Sequence, residues 1–369
     1  MQTHAYELKY IAIVVRAWAQ LPSINPMSTT PKVARSRATG RITLSDVARL
    51  AGVSPITVSR ALRGERAVEA TLVARVQAAA QELGYVPDPA ARALASRRSA
   101  QVVVLVPMLS NALFVDLLEA VQGSLRPAGY QVLMGVTHYD AAEEENLLRE
   151  LLQHRPAGLL ITGLEQNETS RKLIAQSGVP CVHLMEAVQD EGVYSVGFSQ
   201  IDAGAEMTRH LLQRGRKHIV FAAAQLDSRT LQRLAGWRHA LELAGLYQPA
   251  LEWRNPETSS MALGAEMFTD ILRQQPATDA IFFCNDDLAQ GALLAALRRG
   301  IKVPEQVAIA GFNDLTGSDQ MLPALTTVRT PRGEIGRAAA AMLLALLNGE
   351  AVAKPRGDLG YQLIVRAST

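Results

Sequence analysis

Cysteine is nearly absent from this chain of 369 residues: only Cys181 and Cys284 occur, both within apolar surroundings. Two isolated thiols build neither a disulfide framework nor a metal cage. They read as buried free thiols in a reducing, cytoplasmic compartment. Long apolar runs are also missing. Tyr10 to Ala19 is apolar but short and broken by Arg16, so it cannot span a bilayer and makes a poor secretion signal. No membrane partner is expected. The phosphate cradles G-x-x-x-x-G-K-[ST] and G-x-G-x-x-G at a strand-to-helix turn are lacking, as is a G-x-S-x-G elbow. The seven histidines show no ligand spacing. His138, His183 and His218 lie beside strand-like runs and read as structural. Asn285 to Asp287 in isolation suggests a magnesium carboxylate pair, but acids at a helix start also favour the positive helix end. Neither metal nor cofactor is expected, and catalysis is the weaker reading.

An overall excess of one charge is lacking, since 37 Lys and Arg face 35 Asp and Glu for a net charge of +2. Any affinity for an acidic polymer therefore rests on local clusters. One such cluster exists: Lys32, Arg35, Arg37, Arg41, Arg49, Arg60, Arg63, Arg66, Arg75, Arg92, Arg97 and Arg98 face few acids. That asymmetry is the footprint of a nucleic-acid module, although a solvated charged face would also show it.

Inside the cluster, Leu44 to Leu62 spells two short helices. Leu44, Val47, Ala48 and Ala51 fall at helical spacing on one face. Thr43 with Asp46 three residues on forms a capping-box-like start, and Gly52 permits the turn. Ser54 as N-cap and Pro55 at the first helical position begin a second helix. It buries Val58, Ala61 and Leu62 and turns Ile56, Thr57, Ser59, Arg60 and Arg63 outward. That set can touch thymine methyls, phosphates and guanine edges in a major groove. An ordinary helical hairpin with a solvated face is the plain alternative, which the coincidence of turn, caps and outward face disfavours. Thr71 to Leu83, ended by Gly84, adds a third helix and completes a helix-turn-helix head. Pro87 and Pro89 then break the pattern before a short Ala-rich segment.

The run from Thr43 to Ser99 resembles the lactose-repressor (LacI/GalR) family of bacterial transcription regulators. The resemblance implies a hinge helix after the third helix, with Leu94 in ARALAS as the apolar wedge entering a minor groove. By the same resemblance Pro55, Ile56 and Arg60 face bases. Ser54, Thr57 and Ser59 suit phosphates, and Thr43 is counted with the DNA-facing set. The expected organisation is an N-terminal extension at 1–40, disordered or from an upstream start with Met27 as the alternative. A helix-turn-helix domain at 41–86, a hinge at 87–99 and an effector-binding and dimerisation body at 100–369 follow.

The body alternates strands and helices. Gln101 to Val106, Tyr130 to Val136, Gly158 to Thr162, Cys181 to Met185, Ser195 to Phe198, Ile219 to Ala223, Asp279 to Cys284 and Val307 to Gly311 are short apolar runs. The pattern predicts a doubly wound parallel α/β fold with its ligand crevice at the carboxyl ends of the strands. About 270 residues suggest two lobes. The family resemblance implies a periplasmic-binding-protein-like body with three crossovers, placed near Ser199, Val328 and Asn348.

Candidate ligand residues sit after strands. Arg229 and Arg233, four apart, point the same way if helical; a surface ion-pair helix is the alternative. Asn313, in GFND, ends the Val307 strand. The family implies Asn111 and Phe114 as a polar and an aromatic contact, Arg233 as an effector arginine, and Asp286 as acceptor for sugar hydroxyls. A sugar acid needs its carboxylate paired by a cation, so the second arginine tilts the reading toward an acid. HLMEAV, SVGFSQ, LDSRT, CNDDLAQGA and LTTVRTPR resemble the gluconate-utilisation branch, implying gluconate or a keto-gluconate. Ser199 and Gln200 depart from the Asp-Asn common in the family. A repressor is expected, a homodimer on palindromic operator DNA, since no leucine heptads follow the last strand. A regulator responding to a neutral sugar, and a sugar-acid enzyme or carrier with an accessory head, are the alternatives.

Overall fold

The computed structural model describes residues 42–62, 68–86, 99–109, 112–188 and 192–369. Arg63, Leu94, Asn111 and the extension at 1–40 lie outside them. Two compact units divide after Asp88.

The first unit carries α1 (Leu44–Ala51), α2 (Pro55–Leu62) and α3 (Ala70–Leu83). Its core is small and aliphatic, with Val47, Ala48, Ala51, Val58, Ala61, Val76, Ala79 and Ala80 buried together. These are the positions that helical spacing selects, so the burial follows from local order in the sequence. Gly52, in the left-handed region at φ 64°, ends α1 with its N–H on the Ala48 and Arg49 carbonyls.

The second unit is built from two parallel sheets. In chain order, the first lobe contributes β1 (Gln101–Val106), α4 (Ala112–Leu125), β2 (Gln131–Val136), α5 (Ala141–Gln153), β3 (Gly158–Thr162), α6 (Glu168–Ser177), β4 (Cys181–Leu184) and β5 (Tyr194–Gly197). The chain then enters the second lobe with α7 (Gln200–Gln213), β6 (Ile219–Ala224), α8 (Ser228–Leu243), β7 (Glu252–Asn255), α9 (Met261–Gln274), β8 (Ala280–Phe283), α10 (Asp286–Arg299) and β9 (Ala308–Ala310). Strand β10 (Thr327–Arg329) leads back to α11 (Arg332–Leu347) and β11 (Arg356–Asp358), and β12 (Gln362–Ile364) returns to pair antiparallel with β10.

The first sheet runs β11-β5-β4-β3-β1-β2 and the second β7-β6-β8-β9. Strand β1 shows why the sheet is apolar on both faces. Val102, Val104 and Val106 join the cluster of Phe114, Leu117 and Val121, whereas Val103 and Leu105 join Leu148, Leu159 and Ile161. The period of two sends alternate side chains to helices on opposite faces.

The chain changes lobes three times. The first crossing, after Phe198, falls where expected near Ser199; the second follows β10, just beyond Val328. The third is a correction: Asn348 ends α11 inside the first lobe, and the crossing comes between Asp358 and Gln362. Arg356–Asp358 pairs with β5 as an edge strand. Its Arg-Gly-Asp sequence has no apolar run, so periodicity could not reveal it. Among the described residues, no helix is long and apolar enough to cross a membrane.

Candidate functional site

In the first unit, local capping fixes how α2 is presented. The Thr43 N–H and hydroxyl both donate to Asp46 Oδ2, at 2.9 and 2.7 Å, which holds the Asp46 carboxyl below its usual range. Ser54 Oγ accepts the Thr57 N–H at 3.2 Å and lies 2.8 Å from the Thr57 hydroxyl. Ser54, Pro55, Ile56 and Arg60 are exposed, Ile56 at 67%, while Thr57 and Ser59 are half-buried. A large apolar side chain standing out beside an arginine and hydroxyls is the surface a groove-reading helix needs.

In the second unit, the strand ends gather buried polar groups. Arg229 and Arg233, one turn apart on α8, are both buried, 3% and 4% exposed. Asp227 caps this helix, accepting the Arg229 and Thr230 N–H groups, and its Oδ1 lies 3.4 Å from Arg229 Nε. Burial opposes charge on Asp227, but the Arg229 and Arg233 guanidiniums outweigh it and hold its carboxyl below the usual range. Burial likewise works against the Arg229 charge, and the neighbouring carboxylates, Asp227 foremost, more than compensate. The first lobe faces Arg229 with Tyr139, whose ring centre lies 5.8 Å from the guanidinium, and with Glu165 and Glu186, whose charges it feels. Burial pushes the Tyr139 hydroxyl up to about 12.

The two arginines differ in what they have left to give. Arg233 donates through Nε to Gln200 Oε1 at 2.8 Å and through Nη1 to the Cys284 carbonyl at 2.6 Å and Asn285 Oδ1 at 3.1 Å. Its guanidinium also stacks 4.0 Å from the Phe312 ring centre. Arg229 Nη1, by contrast, is buried without a hydrogen-bond partner. So are Glu186 Oε1, Gln225 Nε2, Asp287 Oδ1 and Asn313 Oδ1, each just after a strand. Buried polar atoms are rarely left alone, and these five follow strands β4, β6, β8 and β9.

Adjacent aspartates also part company. Asp286 is fully buried and accepts from the Thr327 hydroxyl at 2.6 Å, the Leu315 N–H at 2.6 Å and the Ser318 hydroxyl at 3.1 Å. Burial pushes its carboxyl up to about 6 despite these donors. It stitches the loop after β9 to β10. Asp287 accepts the Ser259 hydroxyl on Oδ2 at 2.7 Å, and its buried Oδ1 has no hydrogen-bond partner. Asn313 Nδ2 donates to Asn285 Oδ1 at 3.3 Å. Phe114 is enclosed in the first-lobe core.

The backbone around these groups is strained. Among the described residues, the non-glycine positions with positive φ are His138 and Tyr139 after β2, Met185 after β4, Gln225 and Leu226 after β6, Asn313 and Asp314 after β9, and Arg155 elsewhere. Such conformations cost about 1–3 kcal/mol each and collect at ligand clamps. Gly197 lets the Met185–Glu186 backbone approach so closely that a Cβ there would collide with it, which sets Glu186 at the mouth of the crevice. A cavity of about 490 Å³ is lined by Glu186 together with Glu165, Ser199, Asp202, Ser228 and Arg356. The hydrogen bond from Gln232 Nε2 to Glu186 Oε2, 2.9 Å, stands at its wall. Glu186 and Tyr139 were not singled out from the sequence, while Gln200 drew notice only as a departure from the family pattern and Asp287 only as one of an adjacent pair of carboxylates. Only the succession of strand ends pointed toward them.

Comparison with known proteins agrees with both units. Residues 43–88 match the family of bacterial regulatory proteins of the lacI type, and residues 208–369 match a periplasmic binding protein-like domain. A regulator of Pseudomonas aeruginosa, the HTH-type transcriptional regulator GntR, is 54% identical over 343 residues, 93% of this chain and 100% of that protein. The crystal structure of transcription regulator GntR from Chromobacterium violaceum superposes with a TM-score of 0.71 at 50% identity, covering 73% of this chain and 98% of that one. The lac repressor dimer bound to operator and the anti-inducer ONPF gives 0.78 at 27% identity over 89% of this chain and 99% of that one. With an exposed helix α2 on a three-helix head and, further along the sequence, a two-lobed parallel α/β body, the chain belongs to the lacI family and is a DNA-binding transcriptional regulator, not an enzyme.

Proposed function

We propose that this regulator is a repressor whose operator binding responds to a small sugar acid, gluconate or a keto-gluconate, held between the two lobes of the body. The observation that carries this reading is Arg229: a buried guanidinium, charged at any working pH, with Nη1 unpartnered at the strand ends. A carboxylate satisfies such a donor and is itself spared the cost of burial unpaired. Arg233, already engaged by Gln200, Cys284 and Asn285, positions the rim of the site. Asp287 Oδ1, Asn313 Oδ1 and Glu186 Oε1 supply acceptors for hydroxyls, with Asp287 taking the role that resemblance assigns to Asp286. Likeness to proteins named GntR supports the same class of effector.

On the DNA side, Pro55, Ile56 and Arg60 meet base edges, and Ser54, Thr57 and Ser59 meet phosphates. Leu94 serves as the hinge wedge. Two chains pair through their bodies on a palindromic operator, half-site symmetry mirroring the dimer. The effector changes operator affinity by its differential affinity for the two lobe arrangements.

Calorimetric titration of the full-length protein with gluconate, 2-ketogluconate, ribose and purines tests this. Sugar acids are expected to bind, and Arg229→Gln to lose them. Binding of a neutral sugar or a purine alone would overturn the effector assignment.

A further inference from the structure

One arginine joins the two lobes of the body. Arg332 is the first residue of α11 and belongs to the first lobe by chain position and packing. A cation at a helix N-terminus opposes the helix dipole, so its placement needs partners. It has them on both lobes. Nε and Nη2 each reach Asp116 Oδ2 of α4 at 2.9 Å, while Nη1 donates to the Asn313 carbonyl at 2.7 Å in the second lobe.

The loop it grips is the strained one. Asn313 and Asp314 have φ of 107° and 51°, and the Asp314 carboxylate is held from its other side by Arg329 at 2.7 Å and Arg366 at 2.8 Å. The Asn313 side chain bonds to Asn285, which also accepts from Arg233. An unbroken polar path thus runs from the buried arginine of the crevice, through Asn285 and the Asn313 backbone, to Arg332 and Asp116 on α4. Strand β1, which α4 follows, is the first element of the body after the hinge residues.

We infer that Arg332 and Asp116 form an interlobe clasp that sets the position of the 313–314 loop against α4, and with it the lobe arrangement that determines operator affinity. The pair are positioning residues: neither carries an unpartnered atom at the strand ends. The inference rests on the effector-responsive reading of the body, but its test needs no effector. Asp116 is half exposed, so Asp116→Asn leaves the fold intact, and exposed ion pairs add little to stability.

The experiment uses full-length protein and an operator enriched from randomised duplexes by the wild type. In Asp116→Asn and Arg332→Gln, amide exchange across residues 312–318 is expected to quicken about tenfold, and affinity for the enriched operator to change at least about fivefold. Affinity for random DNA should stay put, and Asp116→Glu, which keeps the carboxylate, should behave as wild type. Unchanged loop exchange would overturn the clasp. Faster exchange with unchanged operator affinity would reduce it to a local tether and overturn it equally. If no sugar acid binds the wild type, the effector assignment falls while both readouts still judge the clasp.

Discussion

The head and the crevice are both polar surfaces on apolar scaffolds, yet they are made in opposite ways. In the head the exposed polar groups lie on α2, and the bonds are local: Ser54 to Thr57 on α2, Thr43 to Asp46 on α1. In the crevice the polar groups were stripped of water when the chain folded, and their partners are distant, as Arg233 is from Gln200 and Cys284. A surface of the first kind loses little when one side chain goes. A site of the second kind leaves its neighbours stranded, so a single substitution there should cost more.

The largest expected effect is on Asp286. Replacing it by Ala leaves three buried donors, from Leu315, Ser318 and Thr327, without an acceptor, and should lower stability by about 3–5 kcal/mol. Denaturant unfolding measures this. Asp287→Ala, with one donor to strand, should cost far less stability and weaken effector binding instead; equal stability losses at the two positions would erase the distinction between them. Next comes Arg229→Gln, expected to weaken sugar-acid binding by about 2–4 kcal/mol, the scale of truncating one partner of a buried charge pair. Calorimetry reads it, and affinity for operator without effector should not move.

Arg60→Ala should cost about 1–3 kcal/mol on the cognate operator and relax discrimination among sequences. Thr57→Ala should weaken specific and random DNA alike, with the salt dependence unchanged because the lost hydroxyl carries no charge. Equal losses on both kinds of DNA for Arg60→Ala would place it on phosphates and break the division within α2.

The same contrast explains what could be read from residues in a row. The three head helices follow from spacing, because Val47, Ala48 and Ala51 share a face whatever the rest of the chain does. The apolar strand runs were legible for the same reason, and with them the parallel sheets and the ends where ligand groups gather. The polar strands β7 and β11 were not, since Glu252–Asn255 and Arg356–Asp358 owe their pairing to an open sheet edge. Nor could adjacent aspartates be told apart. Asp286 becomes structural only because a loop some thirty residues on, anchored by β10, folds back over it. Asp116 and Arg332 meet across 216 positions. No window of sequence holds both.

The last expected effect concerns pH, where one carboxyl from each region is shifted in an opposite direction. Asp46 in the head takes the Thr43 N–H and hydroxyl, and its folded value lies below 3.8. Its contribution is present above the unfolded value and is lost as pH falls through the folded one. Glu144, on α5 of the body, is pushed by burial from 4.5 to about 7, with a hydrogen bond from Gln166 offsetting only part. Between those values the folded protein binds more protons than the unfolded chain, so stability is present below about 4.5 and declines as pH rises to about 7. Glu144→Gln removes the decline: the variant should melt above wild type at pH 8 and together with it near pH 4. A melting difference that stayed constant across this range would mean that Glu144 acts by packing, and that the burial of unpartnered charge which distinguishes the crevice from the head does not extend to α5.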